Sequence, residues 1–108
     1  MRNTKWMTSL AFVGAIYAGA ACAADAVDVP ALMKKNNCLS CHTIDKKLVG
    51  PAYKDVAAKY RGQAGVEAKL VAKVKKGGSG SFGTMPMPPQ AAKAEDVQAI
   101  VHYVLALK

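Results

Sequence analysis

Two thiols and an imidazole stand together at Cys38-Leu39-Ser40-Cys41-His42, the spacing at which haem is attached covalently to a chain. The spacing has a chemical reason. On one helical turn, side chains three positions apart share a face, so both thiols reach the two vinyl groups of a single porphyrin. The histidine beside the second thioether then falls beneath the iron, which needs a nitrogen ligand on its proximal side. Cys38 and Cys41 are therefore candidate attachment points, and His42 is a candidate axial ligand. Two other chemistries use these residue types. A C-x-x-C redox pair belongs at a strand-to-helix junction in a βαβ setting, which this chain lacks. A zinc site would need a fourth ligand at a better spacing.

The second axial position decides the class of function. Iron closed on both sides carries electrons, whereas an open side binds a small gas or peroxide. Outside the N-terminal leader described below, the candidate ligands are Met33, Met85, Met87 and His102. Met33 lies on the approach to the proximal side and reads as core. His102 sits away from the centre of the apolar stripe on its helix and reads as a surface or flank residue. Met85 and Met87 remain, in Met85-Pro86-Met87-Pro88-Pro89. Three prolines in five positions forbid a helix interior and a central strand, so this segment is extended and rigid. A thioether that must hold iron at fixed length benefits from a backbone that cannot yield, and on these grounds both stay open.

The elements that position these residues are helical. Asp28 and Pro30 mark a helix start, with Leu32 and Met33 on its apolar side, running toward Asn36-Asn37 and the thiol motif. Val49-Gly50-Pro51 is a turn, after which Tyr53 to Tyr60 reads as a short helix with Val56 inward, stopping near Gly62. Val66, Leu70, Val71 and Val74 recur at helical spacing up to Gly77-Gly78, and the glycine-rich stretch to Gly83 is loop. Between Lys93 and Lys108, Val97, Ile100, Val101, Val104 and Leu105 form one apolar face behind Glu95 and Asp96 in the first turn. No sustained period-two alternation appears, so the domain is expected to be all-α.

The first residues read as a secretory leader. Arg2 and Lys5 precede an apolar run from Trp6 to Ala18, and Ala21-x-Ala23 fits small-x-small cleavage. Residues 1–23 are expected to be a cleaved Sec-type signal peptide and 24–108 the domain. Two other readings exist: an anchor helix from Trp6 to Ala24, and a lipoprotein signal ending at Cys22. The small residues favour cleavage over an anchor, and Gly19 stands where a lipoprotein signal would carry a leucine-like residue. Cleavage leaves 85 of 108 residues and Cys38 and Cys41 as the sole cysteines, so no thiol remains for a disulfide framework. A domain that small leans on a cofactor for its core, and the haem-free chain is expected to be poorly folded.

Fifteen basic residues become thirteen on cleavage, against seven acidic ones, a net charge of +6 before two haem propionates are counted. Such a surface suits an acidic protein partner. Nucleic acid is excluded as partner because the lysines are scattered and an exported haem protein does not meet it.

From Lys34 onward the chain resembles the small bacterial class I monohaem cytochromes c of the c-551/c-552 type. The likeness rests on Asn37-Cys38-x-x-Cys41-His42, Val49-Gly50-Pro51-Ala52-Tyr53-Lys54-Asp55-Val56-Ala57, Lys75-Lys76-Gly77-Gly78-Ser79-Gly80 and Pro86-Met87-Pro88-Pro89. It implies about four to five short helices wrapped around one covalently bound haem c. It also implies Met87 as the second axial ligand, with Met85 as packing, and a Pro51 carbonyl bonded to the Nδ1 side of His42. Lys73 falls where the family tends to place an arginine near a haem propionate, although a lysine lacks the bidentate fork. Gln90 replaces an asparagine and would hydrogen-bond near the methionine sulfur. Phe82 replaces a tryptophan that donates to a propionate, so that bond is expected to be absent.

The function implied is that of a soluble periplasmic electron carrier, monomeric and not an enzyme, shuttling single electrons between respiratory complexes and a terminal reductase or oxidase. After signal removal it has no stable membrane insertion. Lys34, Lys35, Lys46, Lys47, Lys75 and Lys76 are the candidate docking charges. The alternative is a gas sensor or peroxidatic enzyme with an open sixth site.

Overall fold

The computed structural model describes residues 27–108, with Gly14 alone before them. The leader expectation, residues 1–23, otherwise lies outside the described residues. Four helices make the fold: α1 (Val29–Lys35), α2 (Tyr53–Tyr60), α3 (Val66–Lys76) and α4 (Ala94–Leu105), with a short 3-10 turn at Cys38–Ser40. Among the described residues there is no sheet, only one isolated antiparallel bridge between Gly78 and Met87.

Each helix begins and ends for a local reason. Asp28 caps α1 by accepting from the Ala31 N–H at 3.1 Å, with Pro30 in the first turn. α2 has no side-chain cap. Its first free N–H groups are satisfied instead by the loop behind it, Tyr53 N–H donating to the Thr43 carbonyl at 2.9 Å and Lys54 N–H to Ile44 at 3.1 Å. α3 ends at Gly77, whose φ of 74° is a left-handed conformation that favours glycine. α4 carries Glu95 and Asp96 in its first turn, where they complement the helix dipole. It stops at Leu105 rather than running to Lys108, because the chain turns at Ala106.

The core is small. Met33, Tyr53, Ile100 and Val104 form its centre, with Val56 packed against them half-buried. Ala52, Ala57, Val66, Val97 and Val101 complete the buried apolar set. Val97, Ile100, Val101 and Val104 are the apolar face read from the sequence, and Met33 is fully buried at 1% exposure. On α3 only Val66 is buried, while Leu70, Val71 and Val74 are half-buried. That helix therefore has apolar surface that the protein's own side chains only partly cover.

Candidate functional site

The thiol motif sits in a tight bend. Asn37 precedes it at φ 58°, the one non-glycine residue with positive φ among those described, a conformation asparagine tolerates better than most residues. The 3-10 turn follows, and the Cys38 carbonyl accepts from the N–H of Cys41 at 3.3 Å and of His42 at 3.0 Å. Cys38 and Cys41 are thus on one helical turn, free and half-buried. Burial pushes the Cys38 thiol above its ordinary range. Among the described residues no group of three or more His, Cys, Asp or Glu converges as a metal cage.

His42 is fixed from the turn that follows. The Gly50 N–H donates to the Cys41 carbonyl at 2.7 Å, which folds Gly50 and Pro51 back onto the imidazole. Nδ1 lies 2.8 Å from the Pro51 carbonyl oxygen, which leaves Nε2 to face a ligand. Only glycine fits at position 50, since a Cβ there would lie 2.5 Å from the ring's Cε1. Tyr53 stacks on the same ring, with centroids 4.9 Å apart and planes 15° apart. Its phenol is pushed up, first by burial and then by the neighbouring Cys38. Nothing in the sequence reading singled out Tyr53. The signal available was its position, two residues after the proline whose carbonyl meets His42.

Met87 is held from α3. Its N–H donates to the Gly78 carbonyl and its carbonyl accepts from the Gly78 N–H, both at 2.9 Å. A further tie follows, Gln90 N–H to the Val74 carbonyl at 3.2 Å. The loop lies so close to the helix end that a Cβ on Gly77 would come within 2.5 Å of the Met87 carbonyl oxygen. Met87 is half-buried, while Met85 is 64% exposed. The expectation that Met85 packs is thereby corrected. The prolines hold the segment extended with about three residues per turn, so residues 85 and 87 face about 120° apart, and the bridge that holds Met87 against the end of α3 leaves Met85 outside it.

The remaining residues fall in three places. Lys73 is half-buried with its ammonium on the Ser81 hydroxyl, and Lys59 reaches the Ser81 carbonyl while lying 4.4 Å from the centre of the Phe82 ring. Two ammonium groups thus converge at Ser81, beside Phe82, which packs edge-on against Tyr60. Gln90 donates to the Pro88 carbonyl at 2.8 Å, so its amide is used within the loop. His102 is on the surface, 76% exposed, with Nδ1 3.2 Å from Glu67. Lys34, Lys35, Lys46, Lys47 and Lys76 are exposed. Lys75 leaves that set, because it is half-buried and donates to the Ala92 carbonyl.

The donor set fits a covalently bound haem: two thiols on one turn, an imidazole oriented through Nδ1, and a half-buried thioether on a tied loop. A family model described as cytochrome c matches residues 26–108, and the chain belongs to the cytochrome c family, as a class I monohaem member of the c-551/c-552 kind. Family membership implies covalent haem c at the Cys38/Cys41 motif. Among its relatives, cytochrome c-551 of Pseudomonas aeruginosa is 49% identical over 83 residues, covering 77% of this chain and 80% of the relative. Cytochrome c-552 of Nitrosomonas europaea is 42% identical over 107 residues, covering 98% and 99%. The crystal structure of the Nitrosomonas europaea cytochrome c552 superposes with a TM-score of 0.71 at 44% identity, covering 73% of this chain and 99% of that one. These relatives are electron-carrier cytochromes, not enzymes. Among the described residues no helix is long and apolar enough to cross a membrane.

Proposed function

We propose that this chain is a periplasmic one-electron carrier with one haem c on Cys38 and Cys41, its iron held between His42 and Met87. The observation that carries the reading is the pair of backbone hydrogen bonds between Met87 and Gly78, which fixes the main chain that carries one half-buried thioether while its neighbour Met85 is exposed. When bound, the haem supplies exchange between iron(II) and iron(III). The chain's own residues set how easily that happens. The Pro51 carbonyl on Nδ1 strengthens His42 as a donor, and a thioether opposite it favours the reduced state. Lys73 and Lys59, converging at Ser81, place positive charge where a haem propionate would meet it. Phe82 has no donor to add there.

Electrons would pass at the edge beside Cys38 and Cys41, where Leu39 and Ser40 are exposed. Lys34, Lys35, Lys46, Lys47 and Lys76 would steer an acidic redox protein to that edge as a transient partner of the monomer. The carrier would stand between a respiratory complex and a terminal reductase or oxidase, and nucleic acid has no part in this reading.

The spectrum of the purified protein tests the ligation. The pyridine haemochrome is expected to show thioether-linked haem, the oxidised form a weak methionine-to-iron band near the red end, and the reduced form no uptake of carbon monoxide. Ready binding of carbon monoxide by wild type would instead place the chain among sensors or peroxidatic enzymes. Docking has its own measurement. Electrostatic steering raises encounter rates by about 10- to 1,000-fold, so transfer to an acidic partner should slow by about tenfold or more as salt rises beyond about 0.1 M. A rate indifferent to ionic strength would remove the lysines from the account and leave the haem site untouched.

A further inference from the structure

Tyr53 is 7% exposed at the start of α2, clustered with Met33, Ile100 and Val104. A tyrosine there would serve the core through its area alone. Its ring, however, lies nearly parallel to His42, at 15° and 4.9 Å between centroids. The backbone enforces this arrangement. Tyr53 N–H is bonded to the carbonyl of Thr43, the residue after His42, and Lys54 N–H to that of Ile44. The two rings therefore move as one unit, and Tyr53 cannot turn its Cα away without breaking the bonds that start α2. The Pro51 carbonyl at 2.8 Å fixes one atom of the imidazole. A single hydrogen bond leaves the ring free to swing about that atom, whereas a parallel plate fixes its plane.

We propose that Tyr53 is a positioning residue for His42: its stacked ring sets the plane of the imidazole, while the Pro51 carbonyl sets which nitrogen turns inward. This rests on the reading of His42 as an iron ligand. The plane of an axial imidazole governs how unpaired spin spreads over the porphyrin in iron(III), so the role has a signature that packing alone does not produce.

The experiment compares the wild-type holoprotein with Tyr53→Phe, Tyr53→Leu and the packing control Ile100→Ala. Tyr53→Phe keeps the stacked ring and should retain the wild-type pattern of hyperfine-shifted haem methyl signals. Tyr53→Leu should redistribute those signals and speed solvent exchange of the His42 Nδ1–H by about tenfold, the upper end of what one aromatic pair is worth. Ile100→Ala should lower the unfolding midpoint and leave both readouts unchanged. A Tyr53→Leu protein that loses stability yet keeps the methyl pattern and exchange rate would overturn the proposal. So would Tyr53→Phe disturbing them as much as Tyr53→Leu does. Should Tyr53→Leu not fold, the reduced wild type decides: ring-to-ring nuclear Overhauser contacts between Tyr53 and His42 support the stack, and their absence overturns it. A wild type lacking the ring-current-shifted methyl of Met87 strikes the His42/Met87 reading itself. Its presence beside a null result for Tyr53 strikes the stacking role alone.

Discussion

Replacing Met87 by alanine is expected to convert a closed iron into one that takes up carbon monoxide in the reduced form and loses the weak red-end band in the oxidised form. The reduction potential should fall by on the order of 0.1 V, a modest part of the roughly 0.8 V that axial ligands span in haem proteins. The fold should survive. Met87 is tied to Gly78 through its backbone N–H and carbonyl, and both remain in the variant, so the loop keeps its path. A half-buried Met→Ala change then costs about 2 kcal/mol, the low end for losing an apolar side chain. Spectra, carbon monoxide titration and potentiometry on one preparation check all three expectations. A variant still closed to carbon monoxide would show that another side chain, such as Met85, holds the iron. Met87→His separates closure from ligand type, since it should refuse carbon monoxide while keeping the lowered potential.

The double substitution Cys38→Ala, Cys41→Ala is expected to have the largest effect on stability. Without thioethers the haem becomes extractable, and the protein is left with the small apolar set around Met33, Tyr53, Ile100 and Val104. The half-buried faces of Leu70, Val71 and Val74 on α3 show how little of that helix the chain covers by itself. Losing a structural prosthetic group is among the few changes that cost more than about 4 kcal/mol, which in a domain of this size lowers the midpoint by about 15–30 °C. Far-ultraviolet dichroism through a thermal scan would measure it. Cooperative unfolding of the haem-free chain near the temperature of the holoprotein would refute the expectation.

The features legible in the sequence were those with short-range causes. Tyr53–Tyr60 and the apolar face of α4 follow from helical period and bounding glycine, proline or acidic residues. The glycine at the end of α3 follows from the left-handed turn it makes there. Features settled by the meeting of distant segments were less legible. Met85 and Met87 are equivalent by composition. Their different exposure arises from the bridge to Gly78, a contact no local pattern announces. Lys75 looked like any surface lysine, yet Ala92 draws its ammonium inward from the loop before α4. Gln90 was expected near the sulfur, but its amide finds the nearer Pro88 carbonyl. Tyr53 carried no mark as a neighbour of His42, because the stacking depends on how the turn at Gly50-Pro51 folds back.

The ladder rung between Gly78 and Met87 has a consequence for speed. A redox site transfers electrons quickly when its geometry changes little between oxidation states, because every displacement of a ligand adds to the reorganisation energy that each transfer must overcome. Met87 is bonded on both sides of its own Cα to the backbone at the end of α3, and Gln90 ties the same loop to Val74. A Met87 thioether bound to iron on that mount would have little room to drift as the charge on the iron changed, so α3, which carries neither His42 nor Met87, would set how nearly alike the two oxidation states could be.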